Sequence, residues 1–267
     1  MRAVVEEARA LRVPLHRISQ GSGVMMLNDD EIRAMIALGE ESEVEVCLFL
    51  GPRGHWDIGA AAVSSSRGAG PRARGNDQLG QCLEEMRRAA DLGVRNVLVA
   101  DEGVLWAGHR LRASGALPAD FRFKVSVLVG PVNPMALQVI AGLGGDSINV
   151  PGDLTIGQLF EMRSASPVSL DMYVESPDDM GGFVRHYDVP ELIRVAAPLY
   201  LKFGLRNAPS MYPLGRHLLE TAISTGRERV RRARLALDIV ERLGGAPAPM
   251  SGFDDHSLPQ PARFVVS

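Results

Sequence analysis

FRFKVSVLVGPVNPMALQVIAGLGGDSINVP, residues 121–151, is the stretch that decides the fold of this chain. It opens with an apolar, β-branched run at 121–130, continues with apolar residues at helical spacing over 134–144, and closes with a second short run at 146–151. The glycines between the helical pattern and the last run are typical of a helix that stops in the left-handed conformation. The order strand, helix, glycine, strand indicates a βαβ unit with parallel strands.

The same unit recurs along the chain, which favours a barrel. Near-constant spacing and the absence of a glycine-rich dinucleotide motif at the first helix favour a closed barrel over an open doubly wound sheet. We therefore expect an α/β fold of the parallel (β/α) TIM-like barrel type, with seven strands or an incomplete eighth. The eighth strand could be the terminal FVVS at 264–267, come from a neighbouring subunit, or be missing. The predicted strands lie at 14–20, 44–51, 95–101, 121–130, 146–151, 168–175 and 199–205.

Two segments stand apart from the repeating unit. Residues 244–267 are rich in proline and glycine and are interpreted as a C-terminal tail, which leaves 1–243 as one barrel domain. Residues 52–76 follow the second predicted strand and are long for a βα loop. Loops of that length usually carry function, so we expect this one to lie over the carboxyl-terminal mouth of the barrel.

The composition limits the class of protein. Hydrophobic residues make up 46% of the 267 residues, enough for a sizeable core, and the formal net charge of −3 does not call for a polyanionic partner. No apolar run reaches the roughly 18 residues of a membrane span, and the N-terminus lacks the apolar centre of a signal peptide. We expect a cytoplasmic protein with no membrane or nucleic-acid partner, and a homo-oligomer is left open. The arginine-rich helix predicted at 226–244 is interpreted as a solvated face.

The cysteine and histidine content bears on cofactors. Cys47 and Cys82 are the two cysteines of the chain, too few for a four-thiolate cluster. The histidines are scattered and form no zinc motif. We therefore expect no iron–sulfur cluster and no other cofactor.

The candidate catalytic residues come from the last two predicted strands. In a (β/α) barrel the active site lies where the carboxyl ends of the strands meet the following loops. Period-two alternation puts Asp171, Tyr173 and Glu175 on one face of their strand, and Lys202 lies on the next strand. A charged group that points into a barrel is costly unless it is paired or functional. We therefore take Asp171, Tyr173, Glu175 and Lys202 as the candidate catalytic residues.

Two roles are open for this group. Burial disfavours the charge of a lysine, which lowers its pKa and can make Lys202 a Schiff-base nucleophile beside a carboxylate acid or base. Alternatively, Asp171 or Glu175 forms a structural ion pair with Lys202. In both cases we expect Glu175 and Lys202 to face the barrel interior from neighbouring strands, within salt-bridge reach or one water apart.

Further polar residues at the same strand ends predict the substrate-binding groups. A guanidinium suits the capture of a carboxylate or phosphate, so Arg206 or Arg53 would hold a small anionic substrate. An oxygen-rich site for Mg²⁺ or Mn²⁺ from Asp101, Glu102, Asp171 and Glu175 is an alternative. The candidate substrate-binding residues are Gln20, Arg53, His55, Asp101, Glu102, Asn149, Asp153, Arg206 and Asn207.

Two segments resemble the last strands of the U32 peptidase-like family. They are SLDMYVESPDDMGGFVRHYD at 169–188 and LYLKFGLRNAP at 199–209. In that family one strand delivers an acidic residue toward a cysteine-bearing loop, and the next strand reads LK-x-x-x-R. Glu175, Lys202 and Arg206 match this outline. The resemblance covers residues 10–210 loosely and implies a barrel-like fold and peptidase or collagenase-type activity.

One departure from the family limits what the resemblance implies. Family members that act on tRNA, ribosomal RNA or quinone precursors resemble one another in a cysteine cluster that binds an iron–sulfur centre after the glutamate strand. The corresponding segment here, 176–188, contains no cysteine. The resemblance therefore implies a branch without the cluster, acting on a small molecule.

Three functions compete at this point. The first is a small-molecule barrel enzyme of the lyase or aldolase type, with an anionic substrate. The second is a U32-type hydrolase acting on peptides. The third is a non-catalytic binding or scaffolding subunit.

Overall fold

Seven parallel strands and the helices between them build the fold. The computed structural model describes residues 1–51, 71–209 and 211–243. Within these ranges the strands pair in sequential order in one sheet. The strands are β1 (Arg17–Gln20), β2 (Glu45–Phe49), β3 (Asn96–Val99), β4 (Arg122–Val125), β5 (Ser147–Asn149), β6 (Ser169–Glu175) and β7 (Leu199–Phe203). The helices are α1 (Arg2–Ala10), α2 (Asp29–Ser42), α3 (Gly75–Asp91), α4 (Glu102–Ala113), α5 (Pro134–Gly142), α6 (Ile156–Ala165), α7 (Val189–Ala196) and α8 (Leu219–Leu243). Each predicted run contains one strand, so the parallel architecture is confirmed.

The sheet is curled into a half-barrel. Among the described residues no pairing joins β1 to β7. Arg17 of β1 nevertheless reaches across the opening: its guanidinium carbon lies 3.9 Å from the ring centroid of Tyr200 on β7, and its Nη1 lies 3.2 Å from Asp171 Oδ1 on β6. On the outside, α8 packs against both β7 and α1. The curl therefore brings side chains of the first and last strands together, and the segment expected as an eighth strand, 264–267, lies outside the described residues.

Alternation along the strands separates an apolar face from a polar one. Val46 and Leu48 of β2, together with Leu170 and Met172 of β6, belong to the main hydrophobic core that packs with the helices. The residues between them lie on the opposite face. The strand register aligns Ser19 with Cys47 and Asn96, Lys124 with Ser147 and Ser169, and Asn149 with Asp171 and Tyr200. The concave interior is consequently lined by polar side chains, while the apolar core lies between the sheet and the helices.

Several helices are preceded by a residue whose side chain caps the first turn. Asn28 and Glu31 form a reciprocal capping box on α2, and Thr155 forms one with Gln158 on α6. Asp101 and Asn133 cap α4 and α5 by accepting hydrogen bonds from Val104 N and Ala136 N. These contacts satisfy N–H groups that have no partner within the helix, and they fix where each helix leaves its strand.

The glycine stops are partly as predicted. Gly93 and Gly144 have φ of 93° and 107° after α3 and α5, in the left-handed region expected for them. The same pattern precedes the second predicted strand, with ALG at 37–39, but α2 does not end there: the helix continues through Gly39 to Ser42, and Glu43 takes the left-handed conformation with φ of 55°. Gly39 has another role: a Cβ there would lie 2.8 Å from Val44 O, so its absence lets α2 approach β2.

The remaining expectations on domain organisation fall mostly outside the described ranges. Of the loop expected over the barrel mouth, only residues 71–76 are described, where the chain enters α3 at Gly75. The tail at 244–267 lies outside them altogether. None of the helices in the described ranges combines the length and apolar character that crossing a bilayer requires.

Candidate functional site

A charge network fills the interior of the half-barrel, with Asp171 at its centre. Asp171 Oδ1 lies 2.5 Å from Lys124 Nζ and 3.2 Å from Arg17 Nη1. The hydroxyl of Ser147 donates a hydrogen bond to the other carboxylate oxygen. Burial alone would raise the pKa of Asp171, but Lys124 and Arg17 outweigh it and hold that pKa well below its usual range. Asp171 is therefore an ionised carboxylate.

A second carboxylate, that of Glu45, also binds Arg17. Glu45 Oε2 lies 2.5 Å from Arg17 Nε, and Glu45 Oε1 accepts a hydrogen bond of 2.5 Å from Asn96 Nδ2. Burial by itself would lower the pKa of Arg17, yet Asp171 and Glu45 together raise it. Arg17 is thus a fixed cation between two carboxylates, which explains how a guanidinium is tolerated in the interior.

Lys202 of β7 also faces the interior, but it forms no ion pair with a carboxylate of the described residues. Its Nζ donates a 2.6 Å hydrogen bond to Asn149 Oδ1 and lies 4.1 Å from the ring centroid of Tyr173. No acidic side chain of the described residues lies within ion-pair distance of it. Burial lowers the pKa of Lys202 to about 8. Lys202 is partly exposed, whereas Lys124 is fully buried, so Lys202 is the lysine that a molecule entering the interior can reach.

Tyr173 and Asn149 hold the Lys202 amine in place. Asn149 is oriented by its own Nδ2, which donates a 2.5 Å hydrogen bond to Val125 O, so its oxygen is left to face Lys202. Burial raises the pKa of Tyr173, which keeps its hydroxyl protonated and able to donate. The group around Lys202 therefore combines an amine, an amide oxygen and a phenol.

Among the described residues, the charges that face the interior do not balance. Three cations of the described ranges, Arg17, Lys124 and Lys202, face it, against the two carboxylates of Glu45 and Asp171. The surplus can be relieved in two ways: one amine loses its proton, or an anion enters. The lowered pKa of Lys202 indicates the first, and the expected anionic substrate would supply the second.

The sequence also indicates Lys124, which alternation at the strand ends did not reveal. The chain contains two lysines, and all other basic residues among its 29 Lys and Arg are arginines. Both lysines, Lys124 and Lys202, lie in the interior of the half-barrel. Arginine supplies every other Lys or Arg side chain of the sequence, and a lysine amine, unlike a guanidinium, can lose its proton when it is buried.

Glu175 does not lie where the sequence analysis expected it. A β-bulge between Tyr173 and Glu175 shifts the register, and Glu175 pairs with Phe203 instead of facing the interior. Its Oε2 lies 3.5 Å from His186 Nε2 and 3.8 Å from Arg232 Nε of α8. Since a slip of one residue turns a side chain to the opposite face, the expected contact with Lys202 is wrong, although β6 and β7 are neighbours and Lys202 does face inward.

Three of the expected binding residues cap a helix or contact a neighbouring loop. Asp101 caps α4 and also accepts a 3.1 Å hydrogen bond from Ala73 N, and Glu102 pairs with Arg72. Gln20 Oε1 accepts a 2.6 Å hydrogen bond from Gly23 N.

The other expected binding residues lie at the surface, in the interior, or outside the described residues. At the surface, Arg206 Nε lies 3.2 Å from Asp178 Oδ1, Asn207 N donates to the same carboxylate at 2.5 Å, and Asp153 is exposed. Arg53 and His55 lie outside the described residues. Asn149 alone among the expected binding residues of the described ranges contacts the interior network, and a substrate role for the others stays a prediction.

The carboxylates expected to hold Mg²⁺ or Mn²⁺ are not brought together. Asp101 and Glu102 begin α4, Asp171 lies in the interior, and Glu175 packs against α8. Across residues 1–51, 71–209 and 211–243 no three His, Cys, Asp or Glu side chains gather in a way that could hold a metal ion. Cys47 on β2 and Cys82 on α3 are both buried.

Comparison with known proteins gives distant likenesses in fold. No protein-family model and no curated protein matches the sequence. The U32 peptidase Mk0906 is 19% identical over 61% of this chain, with a TM-score of 0.39, and the chain spans 60% of its length. The YdjI aldolase from Escherichia coli K12 is 12% identical over 92% of this chain and 87% of its own, with a TM-score of 0.49. The CutC protein from Streptococcus agalactiae is 11% identical over 71% of this chain and 89% of its own, with a TM-score of 0.48. The likeness to the U32 peptidase is distant and concerns the fold alone, and no family model matches the sequence.

Proposed function

We propose that this protein is a barrel enzyme of the lyase or aldolase type, which forms a Schiff base between Lys202 and a small carbonyl compound. The observation that carries the proposal is the placement of the only two lysines of the chain inside the half-barrel, with Lys202 partly exposed and free of a carboxylate partner. A desolvated lysine near another cation is the form of this residue that acts as a nucleophile at neutral pH.

The chemistry needs an unprotonated amine and a proton donor. After Lys202 loses its extra proton, its nitrogen lone pair adds to the carbonyl carbon, and the carbonyl oxygen takes up a proton. A second proton, which passes from the nitrogen to the same oxygen, lets the oxygen leave as water, and the resulting iminium ion withdraws electrons from the neighbouring carbon–carbon bond. The hydroxyl of Tyr173, whose ring centroid lies 4.1 Å from Lys202 Nζ and whose pKa burial raises, would supply the proton.

The remaining interior groups set the conditions for this step. Asp171 is neutralised by Lys124 and Arg17, so it does not fix Lys202 in its charged form through a direct ion pair. Asn149 offers a neutral acceptor to the amine, which positions it without adding charge. The surplus positive charge of the interior favours a substrate that is itself an anion.

Reductive trapping tests the proposal. The protein is incubated with sodium cyanoborohydride and a panel of small carbonyl compounds, namely pyruvate, glyoxylate, dihydroxyacetone phosphate and glyceraldehyde 3-phosphate, and its intact mass is measured. We expect at least one compound to add a single reduced adduct that maps to Lys202. The adduct should be absent in Lys202→Arg and present in Lys124→Arg. Labelling confined to the N-terminal amine, or equal in both variants, would overturn the proposal.

The two competing functions lack comparable support. Within the described ranges no histidine hydrogen-bonds a serine, so a serine–histidine pair for peptide hydrolysis is not in place there. A scaffold would have no use for a desolvated, unpaired amine in its interior, which costs stability. A U32-type hydrolase would instead be supported by cleavage of a peptide library that survives Lys202→Arg.

A further inference from the structure

Helix α8 turns a face with two arginines toward the end of β6. Arg229, Arg232, Ala236 and Val240 follow one another at intervals of three or four residues and so share that face. Ala236 and Val240 pack into a buried cluster with Val174 of β6. Arg232 places its Nε 3.8 Å from Glu175 at the carboxyl end of the same strand. The arginines that the sequence analysis interpreted as a solvated face are therefore partly directed at the sheet.

Arg229 lies on this face one turn closer to the carboxyl-terminal mouth. α8 follows β7 and runs back along the outside of the barrel, so its earlier residues lie nearer the carboxyl ends of the strands. Arg232 already contacts the last residue of β6. Arg229, one turn before it on the same face of α8, therefore lies nearer the mouth of the half-barrel than Arg232 does.

Arg229 differs from its neighbours in having no ion-pair or hydrogen-bond partner among the described residues. Arg227, Arg231, Arg232 and Arg234 each form an ion pair with an acidic side chain. Arg229 forms no ion pair or hydrogen bond with any residue in the described ranges, although its Nε is buried. A buried guanidinium nitrogen without an acceptor is costly, and an oxyanion is the ligand that would satisfy it.

The charge of Arg229 influences the pKa of Tyr173, which lies beside Lys202. Burial raises the pKa of Tyr173, and Lys124 and then Arg229 oppose that rise. The ring of Tyr173 in turn lies 4.1 Å from Lys202 Nζ. Arg229 and Lys202 therefore act on the same tyrosine, Arg229 from the helix layer and Lys202 from the neighbouring strand.

We propose that Arg229 binds the anionic group of the substrate, a carboxylate or a phosphate, while Lys202 attacks its carbonyl carbon. This inference rests on the proposed Schiff-base function and narrows the substrate to carbonyl compounds that carry an oxyanion. A planar guanidinium with several donors can take two oxygens of such a group at once, which would also set the orientation of the carbonyl.

The test compares probes that differ by one charged group. Dihydroxyacetone phosphate is paired with dihydroxyacetone, and pyruvate with hydroxyacetone, so that each pair offers a ketone with and without an oxyanion. Each compound is trapped on Lys202 with cyanoborohydride over a concentration series in the wild-type protein, Arg229→Gln, and the control Arg231→Gln. Arg231 is an exposed residue of the same helix, and its Nη1 lies 3.0 Å from Glu228.

The expected result is selective. Arg229→Gln should raise the half-saturating concentration of an anionic probe tenfold or more, on the order expected for the loss of a charged hydrogen bond, and leave the neutral partner unchanged. Arg231→Gln should behave as the wild type. The phosphate and carboxylate pairs show which anion is preferred.

Two other outcomes separate the two proposals. Equal labelling of anionic and neutral probes, or an Arg229→Gln effect that is the same for both, would overturn the role of Arg229 while Lys202 still forms adducts. If no compound of this set or of the earlier carbonyl panel labels Lys202 in the wild-type protein, the Schiff-base function itself fails, and the role of Arg229 fails with it.

Discussion

Lys124 Nζ lies 2.5 Å from Asp171 Oδ1, and neither side chain is more than 2% exposed. An ion pair this deeply buried adds little stability over apolar side chains of similar size, because both charges lose their hydration. The pair is therefore better explained by what it does to its surroundings. Burial lowers the pKa of Lys124, Asp171 opposes this, and the charge of Lys202 lowers it further, so the two lysines disfavour each other's charge.

Replacing Asp171 should expose how much the network depends on it. Asp171→Asn leaves the buried cations of Lys124 and Arg17 without their shared carboxylate, and we expect a loss of about 3–5 kcal/mol in the free energy of unfolding. Urea denaturation measures it. Asp178→Asn, which weakens the exposed pair with Arg206, is the control and should cost much less. A loss for Asp171→Asn no larger than the control would contradict the network.

The hydroxyl of Tyr173 should matter for reactivity more than for folding. Tyr173→Phe keeps the ring beside Lys202 but removes the proton donor, so we expect the rate of reductive trapping at Lys202 to fall by about 10²-fold or more. Tyr187→Phe changes an exposed tyrosine and should leave the rate unchanged. If Tyr173→Phe is folded and traps the carbonyl compound at the wild-type rate, Tyr173 has no part in the reaction.

Glu175 should prove to be a packing residue between β6 and α8. Glu175→Gln weakens the contacts with His186 and Arg232, and we expect it to lower the free energy of unfolding by about 1–3 kcal/mol. Adduct formation at Lys202 should keep its wild-type rate in protein that is still folded. A folded Glu175→Gln variant that no longer labels Lys202 would instead place Glu175 in the reaction, as the sequence alone had suggested.

The seven strands could be predicted because local signals agree with one another. Apolar, β-branched runs, capping residues such as Asn133 and stops such as Gly144 all lie within a few residues of the strand or helix that they delimit. The inward position of Asp171, Tyr173 and Lys202 also follows from alternation within a single strand. These features need no knowledge of which strands are neighbours.

The part of the site that was missed depends on contacts distant in sequence. Arg17 and Glu45 begin their strands, away from the carboxyl ends where catalytic residues were sought, and only the curl of the sheet brings Arg17 to Asp171. The bulge that turns Glu175 outward is tied to hydrogen bonds with the next strand, such as the one from Gly204 N to Glu175 O. Lys124 could have been found by counting lysines.

The most direct test needs no substrate, because the chain has only two lysines. Lysine labelled with ¹³C at Cε gives one resonance for each of Lys124 and Lys202, and Lys202→Arg assigns them. Burial lowers the pKa of Lys202 to about 8, so its signal should titrate near pH 8: the amine is protonated below that pH and neutral above it, whereas an exposed lysine loses its proton near pH 10.4. Titration of the Lys202 signal near pH 10.4 would leave almost no neutral amine at pH 7, against roughly a tenth for a pKa of about 8, and it would contradict the proposed nucleophile.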